Sequence, residues 1–321
     1  MDIDLIKESE SRLLNLLKGA FGEEITALLE DPDIIELMLN PDGKLWQDRL
    51  SNGCSDTGHT ISTTKAEMII RIVASNGAGQ ELCNSDNPIL SAELPGSGFR
   101  FQGLLPPVVV NPAFTIRKKA SKIFSLDEYV EQGVMTENVA CLLKRAIGEK
   151  KNILVAGGTG SGKTTFVNAL LKEIALLNER VIIIEDTIEL QCDIPNHVAS
   201  RTSDGIADMR ALVKATMRMN PGRIFVGEVR GGEALELLKA WGTGHPGGAA
   251  TVHANSARQS LRRLEQLALE ATRTISKSMI AETVDIIVFI GKISGVRRVQ
   301  ELVAVGYDNG SYTFKDLLME T

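Results

Sequence analysis

The sequence predicts an α/β protein in which a smaller α+β domain precedes a larger domain built on a mainly parallel sheet. Three observations lead to this prediction. The chain has 321 residues, enough for two domains that each bury a core. From residue 125 onward, short apolar runs alternate with helical segments, as in strands joined by crossover helices. Before residue 106, strand-like runs follow one another across turns, which indicates a separate mixed domain.

The N-terminal domain begins with a predicted helix. Leu and Ile recur at helical spacing over residues 4–30. Residues 34–39, the turn Asn40-Pro41-Asp42-Gly43 and residues 44–46 then predict a strand, a turn and a second strand. The remaining predicted elements are an amphipathic helix over 64–76 and strands around 90–94, 99–105 and 113–118. Together these elements predict a small α+β domain.

Prolines and a basic run mark the end of this domain. Three prolines lie between residues 106 and 112, and Arg117-Lys118-Lys119 follow. Proline disfavours continuation of helices and central strands, so the segment is expected to connect two domains. The predicted divisions are an N-terminal domain at 1–122, a linker at about 106–124 and a second domain at 123–321.

The second domain shows alternating strands and helices along the chain. Its predicted helices cover residues 136–147, 163–176, 206–218 and 232–241. Its predicted strands cover residues 152–156, 181–185, 223–228 and 248–252, followed by 284–290, 297–306 and 311–315. The turn Asp308-Asn309-Gly310 predicts a hairpin between the last two strands. This order predicts a mainly parallel sheet with helices on both faces.

Charge and composition exclude several classes of protein. The chain has 35 Lys and Arg against 41 Asp and Glu, so we expect no direct sequence-specific binding of nucleic acid. No apolar run approaches the ~20 residues that span a bilayer. The acidic N-terminus does not resemble a signal peptide, so we expect a cytoplasmic protein. The four cysteines are scattered, which favours free thiols over a zinc site.

A phosphate-binding loop follows the predicted strand 152–156. Its sequence, GGTGSGKTT, matches the pattern G-x-x-x-x-G-K-[ST] and leads into a predicted helix. Glycines let successive N–H groups point at phosphate oxygens, and the helix N-terminus adds partial positive charge. We expect Lys163 to reach the β- and γ-phosphates and the Thr164 hydroxyl to ligate Mg²⁺. The predicted nucleotide-binding residues of this loop are Gly157, Gly158, Thr159, Gly160, Ser161, Gly162, Lys163, Thr164 and Thr165.

Acidic residues follow two of the predicted strands. Glu185 and Asp186 come at the end of one apolar run, and Glu228 comes at the end of the next. Because the carboxyl ends of parallel strands share one edge of a sheet, these carboxylates are expected near the γ-phosphate. Gly227 stands where a standard Walker B motif has Asp, and Glu228 keeps the position of the residue that polarises water. Glu185 or Asp186 is then expected to complete the Mg²⁺ shell, through water.

Histidine His253 ends a further predicted strand and therefore faces the same edge of the sheet. We expect it to sense the γ-phosphate, although a lone histidine is more often structural. His245 and His253 lack the spacing of helical metal ligands, and no cysteine lies nearby, which disfavours a metal-binding pair. Similarly, any one acid after a strand is more simply explained as a helix N-cap.

Four segments together resemble the secretion-superfamily ATPases, the motors of type II and type IV secretion and of type IV pili. Within this superfamily the sequence looks most like the TrbB-type conjugal transfer ATPases of type IV secretion systems. The segments correspond to the motifs called Walker A, Asp box, Walker B and His box, which here are Gly157–Thr165, Glu185–Glu189, Ile224–Glu228 and Thr243–His253.

The resemblance implies a RecA-like P-loop motor domain that hydrolyses ATP with Mg²⁺ and assembles as a homo-hexamer. It implies partners among other type IV secretion components, at the cytoplasmic face of the inner membrane. It also implies that Arg100 and Arg117 of the N-terminal domain reach the phosphates. A solvated basic linker explains Arg117-Lys118-Lys119 equally well, and Arg201 and Arg218 are weaker candidates for contacts between subunits.

Several other functions remain open. A type IV pilus or type II secretion ATPase is the main alternative, although the four-cysteine zinc module frequent in secretion ATPases is absent. A GTPase switch is disfavoured because the chain has no Asn-Lys-x-Asp motif. A scaffold that binds ATP without hydrolysing it is disfavoured by Glu228 and the complete phosphate-binding loop.

Overall fold

The computed structural model describes residues 3–75, 83–119, 123–203, 205–293 and 296–318, with side chains from residue 12 onward. The chain divides into two compact units, Met1–Ser121 and Lys122–Thr321. The sequence predicts the domain boundary between residues 122 and 123. Residues 120–122 lie outside the described residues, so the boundary stays a prediction. Residue 76, at the end of the predicted helix 64–76, also lies outside them.

The first unit contains an antiparallel sheet of six strands covered by two helices. The strands are Ile34–Leu39 (β1), Lys44–Arg49 (β2), Gly53–Thr60 (β3), Ile89–Glu93 (β4), Arg100–Leu104 (β5) and Ala113–Arg117 (β6), in the order β3-β2-β1-β6-β5-β4. The helices are Ile3–Glu30 (α1), interrupted at Gly22, and Thr63–Ala74 (α2). Both helices contribute to the core of this unit, in which Ile25, Ile69 and Phe101 are fully buried.

The second unit contains a sheet of eight strands. They are Ile153–Gly157 (β7), Val181–Glu185 (β8), His197–Arg201 (β9), Arg223–Val226 (β10), Ala249–His253 (β11), Ile286–Ile293 (β12), Val296–Asp308 (β13) and Ser311–Asp316 (β14). Their order is β14-β13-β12-β7-β11-β10-β8-β9. The six strands from β12 to β9 are parallel, and the last two add an antiparallel hairpin. The sheet is therefore mainly parallel, as predicted.

Helices cover both faces of this sheet. They are Leu126–Glu131 (α3), Glu137–Gly148 (α4), Lys163–Ile174 (α5), Met209–Thr216 (α6), Glu233–Gly242 (α7), Ala257–Leu269 (α8) and Lys277–Thr283 (α9). The first three pack with one set of strand side chains, and the last four pack with the other set. The strands β7, β8 and β10 are buried throughout because they are covered on both sides.

Several predicted elements have different limits in the structure, among them the helix at 206–218 and the strand at 223–228. The helix predicted over 206–218 begins at Met209, because the Asp208 side chain accepts a hydrogen bond from the Ala211 N–H and caps it. The strand predicted over 223–228 ends at Val226, so Glu228 lies just beyond the strand.

Five of the described helices and strands were not predicted. The strands β3 and β9 lie at sheet edges and alternate between exposed and half-buried residues, so they lack an apolar run. The other three are helices α3, α8 and α9. Leu261, Leu264 and Leu267 recur at helical spacing within α8, so the sequence did contain its signal.

Candidate active site

The phosphate-binding loop joins the buried strand β7 to helix α5. Gly160 and Gly162 have backbone φ of 66° and 97°, which side chains rarely tolerate. A Cβ at Gly157 would lie 2.3 Å from the Ile290 carbonyl oxygen, so only glycine fits there. The Ser161 hydroxyl is buried and has no hydrogen-bond partner among the described residues. Such a donor suits a phosphate oxygen, so the loop fits the predicted nucleotide.

Lys163 begins α5 and lies inside the loop, where it is 8% exposed. Its Nζ donates to the carbonyl oxygens of Gly157, at 3.1 Å, and Gly158, at 2.9 Å. The same atom lies 3.4 Å from His253 Nδ1. The ammonium group is therefore held where the β- and γ-phosphates of a bound nucleotide are expected.

Strand pairing places His253 beside the loop. The strands β11 and β7 are parallel neighbours, with His253 directly opposite Gly157. Burial lowers the pKa of His253, and the charge of Lys163 acts in the same direction, so the ring is neutral at pH 7. Because Lys163 can only donate, Nδ1 must accept, and the ring proton is on Nε2. That atom lies 2.8 Å from Glu228 Oε1.

Glu228 is linked to Asp186 by an arginine that sequence analysis did not single out. Arg230 Nη2 donates to Glu228 Oε2 at 2.5 Å, and Arg230 Nη1 lies 3.3 Å from Asp186 Oδ2. Asp186 also accepts a hydrogen bond from the Thr202 hydroxyl at 3.1 Å. The two predicted carboxylates are thus brought together through one guanidinium, which partly neutralises both.

The backbone that positions Arg230 is fixed by Glu233. This side chain is 8% exposed, and its Oε1 accepts from the backbone N–H groups of Arg230, at 2.6 Å, and Gly231, at 2.9 Å. Glu233 is the first residue of α7, where a carboxylate also interacts favourably with the positive end of the helix.

Glu185 lies in the space that a side chain at position 227 would need. A Cβ at Gly227 would be 2.9 Å from Glu185 Cγ. The neighbouring strand therefore supplies a carboxylate where a standard Walker B motif has its own, which supports the expectation that Glu185 substitutes for it. The role in holding Mg²⁺ stays a prediction.

Glu185 also organises the loop that follows β8. It is 3% exposed, and its Oε1 accepts from the N–H groups of Glu189, at 3.0 Å, and Leu190, at 2.9 Å. Asn168 of α5 ties the same loop to the phosphate-binding helix, because its Oδ1 accepts from Gln191 N–H at 2.8 Å. Sequence analysis missed Asn168, whose signal is a buried amide in an otherwise apolar stretch.

The described residues contain no group of three or more His, Cys, Asp and Glu side chains that could hold a metal ion. In P-loop NTPases the Mg²⁺ ion is held in part by the phosphates of the nucleotide. Thr164 and Thr165, both half-buried in the first turn of α5, offer hydroxyl groups at that position. This arrangement fits the expectation that Thr164 ligates Mg²⁺ together with the substrate.

A second arginine missed by sequence analysis is Arg297 of β13. A Cβ at Gly162 would lie 3.2 Å from Arg297 Cδ, so this side chain runs along the phosphate-binding loop. Its Nε is buried and has no hydrogen-bond partner in the described part of the chain. A positive group beside the N-terminus of α5 is stabilised when an anion is bound there.

The first unit places Arg100 and Arg117 side by side. They are direct partners on β5 and β6, and Glu36 of β1 is the partner of Arg117. Burial raises the pKa of Glu36, while Arg117 and Arg100 oppose that shift. The two arginines thus share one face of the sheet, and their predicted contact with phosphates stays a prediction.

Comparison with known proteins identifies the family. The family described as type II/IV secretion system protein matches residues 70–294, which include every motif of the second unit described above. The chain belongs to the type II/IV secretion system protein family. The resemblance inferred from the sequence motifs is thereby confirmed.

Relatives within this family cover nearly the whole chain. A probable conjugal transfer protein TrbB of Sinorhizobium fredii is 49% identical over 307 residues, 95% of this chain and 93% of the relative. A type IV secretion system protein VirB11 of Bartonella quintana is 30% identical over 326 residues, covering 87% of this chain and 90% of the relative.

Solved structures confirm the fold of this family member. The ATPase DotB of Legionella pneumophila has a TM-score of 0.63 and 20% identity, and the match covers 86% of this chain and 78% of that one. The prediction of a RecA-like α/β motor domain with a smaller N-terminal α+β domain is therefore confirmed.

The His box of this family member reaches the site only at its end. His245 Nδ1 lies 3.2 Å from the Pro221 carbonyl oxygen, before the start of β11. In the segment that leads into β11, position 248 requires glycine, because a Cβ there would lie 2.0 Å from the Ile224 carbonyl oxygen. His253, at the other end of β11, is the histidine beside the phosphate-binding loop.

Proposed function

We propose that this chain is an ATPase that powers conjugative transfer by a type IV secretion system. One observation supports the hydrolytic activity above all: Lys163, His253 and Glu228 follow one another at 3.4 Å and 2.8 Å beside the phosphate-binding loop. The assignment to conjugation rests on the 49% identity to a relative named as a conjugal transfer protein. The same identity favours it over a pilus or type II secretion ATPase.

The site residues have different roles in hydrolysis. Lys163 and the loop N–H groups hold the phosphates and offset their charge. Water forms a bond to the γ-phosphorus while the bond to the bridging oxygen breaks. Glu228 orients that water and accepts its proton. Mg²⁺, bound with ATP, would supply further charge neutralisation at Thr164, with Glu185 and Asp186 holding its water ligands.

Neutral His253 connects the phosphate end of the site to the carboxylate. Its Nδ1 faces Lys163 and its Nε2 faces Glu228, so a change at the lysine on nucleotide binding alters the environment of the glutamate. This arrangement supports the predicted role of His253 as a sensor of the γ-phosphate.

The motor is proposed to work as a homo-hexamer in which Arg100 and Arg117 complete the charge balance around ATP. Closure of the two domains over ATP and release after hydrolysis would then produce the mechanical motion. Every helix in the described part of the chain is too short or too polar to cross a bilayer. We place the motor in the cytoplasm, at the inner membrane with other secretion components.

The test of the hydrolytic function is Lys163→Ala. We expect it to abolish phosphate release and weaken ATP binding, because the phosphates lose their main cation in a dehydrated site. Lys172→Ala on the exposed side of the same helix is the matched control and should keep wild-type activity. Hydrolysis by Lys163→Ala at the wild-type rate would exclude this site. Electron microscopy with a non-hydrolysable ATP analogue measures the ring size.

A further inference from the structure

A cavity of about 490 Å³ opens beside the phosphate-binding loop. Gly158, Thr159 and His253 line one side, and helix α8 forms the other side. Lys163 lies 3.4 Å from His253 and is the residue expected to reach the β- and γ-phosphates. The cavity therefore begins next to the place where the terminal phosphate of bound ATP is expected.

Helix α8 presents a polar stripe to this cavity. The stripe consists of Gln259, Arg262, Arg263 and Gln266, which are all exposed and line the cavity. Their spacing of three, four and seven residues places them on one helix face. The opposite face, which includes Leu261 and Leu264, is buried in the core of the second unit.

The stripe carries the positive charge of two arginines. Within the described residues, neither Arg262 nor Arg263 makes an ion pair or a hydrogen bond, and no carboxylate lines the cavity. Burial lowers the pKa of His253, and Lys163 and Arg263 act in the same direction, so Arg263 lies close enough to affect the ring. Two guanidinium groups thus face the phosphate-binding loop with free donors.

Contacts with the C-terminal strands fix the position of the stripe. The Ala257 N–H donates to Glu301 Oε2 of β13 at 3.2 Å, which holds the start of α8. Tyr312 of β14 donates to Glu265 Oε1 at 2.5 Å. Arg258 lies 4.8 Å from the ring centre of Phe314, away from the cavity. The stripe is therefore presented by a helix anchored on its other sides.

We propose that Arg262 and Arg263 bind a terminal phosphate group in this cavity, outside the cradle of the phosphate-binding loop. Guanidinium groups match phosphate oxygens in pairs, and the flanking glutamines add neutral donors. The group is either the γ-phosphate of bound ATP or the orthophosphate released from it. This inference rests on the proposed ATPase function, and it assigns the same site a second set of phosphate ligands.

The experiment compares Arg262→Gln, Arg263→Gln and the double variant with the matched control Arg258→Gln. Calorimetry measures the affinity for ADP, for the slowly hydrolysed analogue ATPγS and for inorganic phosphate in the presence of MgADP. We expect ADP affinity to stay within twofold in all variants. If released phosphate is bound, phosphate affinity falls at least tenfold in the double variant. If the γ-phosphate is bound, ATPγS affinity falls tenfold instead.

Thermal unfolding establishes that the variants fold, and Arg263→Lys tests whether a charge alone restores part of the lost affinity. Wild-type affinities for both ATPγS and phosphate in the double variant would overturn the inference. A wild-type protein that binds no ADP or releases no phosphate from ATP would instead contradict the proposed function. The two failures are therefore distinguishable.

Discussion

Glu228 shows how single residues determine the chemistry of the site. Its side chain is 17% exposed, and Arg230 and His253 lie within 2.5 Å and 2.8 Å of its two oxygens. The hydrogen bond from Arg230 orients the carboxylate, as activation of water requires. Arg230 also joins it to Asp186, so the charges of two strand ends are balanced together.

Replacing Glu228 with Gln is expected to leave ATP binding intact and to lower turnover about 10²- to 10⁴-fold. The amide keeps the shape of the side chain but cannot accept the proton from water. Single-turnover phosphate release, together with nucleotide titration, measures the two effects separately. An active Glu228→Gln variant beside an inactive Glu185→Gln variant would reverse the roles assigned to these carboxylates.

Two substitutions of Glu185 separate its structural role from its predicted role with Mg²⁺. Glu185→Gln keeps an oxygen that can accept from Glu189 and Leu190, so we expect a wild-type melting temperature and a large loss of Mg²⁺-dependent turnover. Glu185→Ala leaves both N–H groups without this acceptor and should lower the free energy of unfolding by about 2 kcal/mol. Wild-type turnover by Glu185→Gln would contradict the role with Mg²⁺.

At the scale of elements, strand order and register assemble the site. The strand β7 lies between β11 and β12, and β10 lies between β11 and β8. These neighbours bring His253 opposite Gly157 and let Glu185 lie over Gly227. The ends of strands that are far apart in the chain thus meet at one edge of the sheet.

At the amino-terminal ends of the parallel strands, a buried arginine joins several segments of the chain. Arg223, at the start of β10, is fully buried and donates to Glu179, at 2.9 Å, and to the carbonyl oxygens of Gly247 and Ile147. Lys150 Nζ lies 2.9 Å from the same glutamate. One ion-pair network therefore joins the end of α4 to β10 and to the turns before β8 and β11.

Glu179→Gln is expected to lower the free energy of unfolding by about 2 kcal/mol at pH 7, because Arg223 loses a charged partner in the interior. The hydrogen bond from Arg223 lowers the pKa of Glu179 below its ordinary value of 4.5. The carboxylate therefore contributes stability above pH 4.5, and this contribution is lost as pH falls through the folded-state pKa.

Denaturant unfolding of wild type and Glu179→Gln across this pH range measures the difference. We expect the difference in free energy of unfolding between the two proteins to disappear at acidic pH. Glu149→Gln, at an exposed glutamate near the end of α4, is the control and should behave as wild type throughout. A difference in free energy of unfolding that persists unchanged at low pH would contradict the ion pair assigned to Glu179 and Arg223.

At the scale of the whole molecule, each unit has its own core. Lys163, Glu228 and His253 all belong to the second unit, whereas Arg100 and Arg117 belong to the first. The charge that develops on the γ-phosphate is larger than one lysine balances well, and related NTPases add an arginine from outside the core.

A fragment of residues 123–321 is expected to fold and to lose most ATPase activity. It retains Ser125, whose side chain caps α3. Because Arg100 and Arg117 are missing, we expect the rate of ATP hydrolysis to fall nearly as far as it does without an arginine finger, which is about 10³- to 10⁵-fold. Full-length Arg100→Ala and Arg117→Ala should be intermediate, with Arg71→Ala, on α2, as a control. A fully active monomeric fragment would rule out the participation of the first unit.

The sequence by itself determined the features that depend on neighbouring residues. The glycine and lysine pattern of Gly157–Thr165 predicted a loop between a strand and a helix, and the loop is there. The alternation of apolar runs with helical segments predicted a mainly parallel sheet, and such a sheet predicted that the acids following its strands share one edge. These signals are local, because the periodicities of helices and strands and the residue preferences of turns can be recognised within a short stretch of sequence.

Only the tertiary structure decided which distant groups meet. The contact of Arg230 with Glu228 and Asp186, and the position of Glu185 over Gly227, depend on strand order and register. So does the approach of Arg263 on α8 to the phosphate-binding loop. Many registers satisfy the same apolar pattern, and packing across the whole sheet selects one of them. The charge balance of the site is therefore a property of the assembled fold.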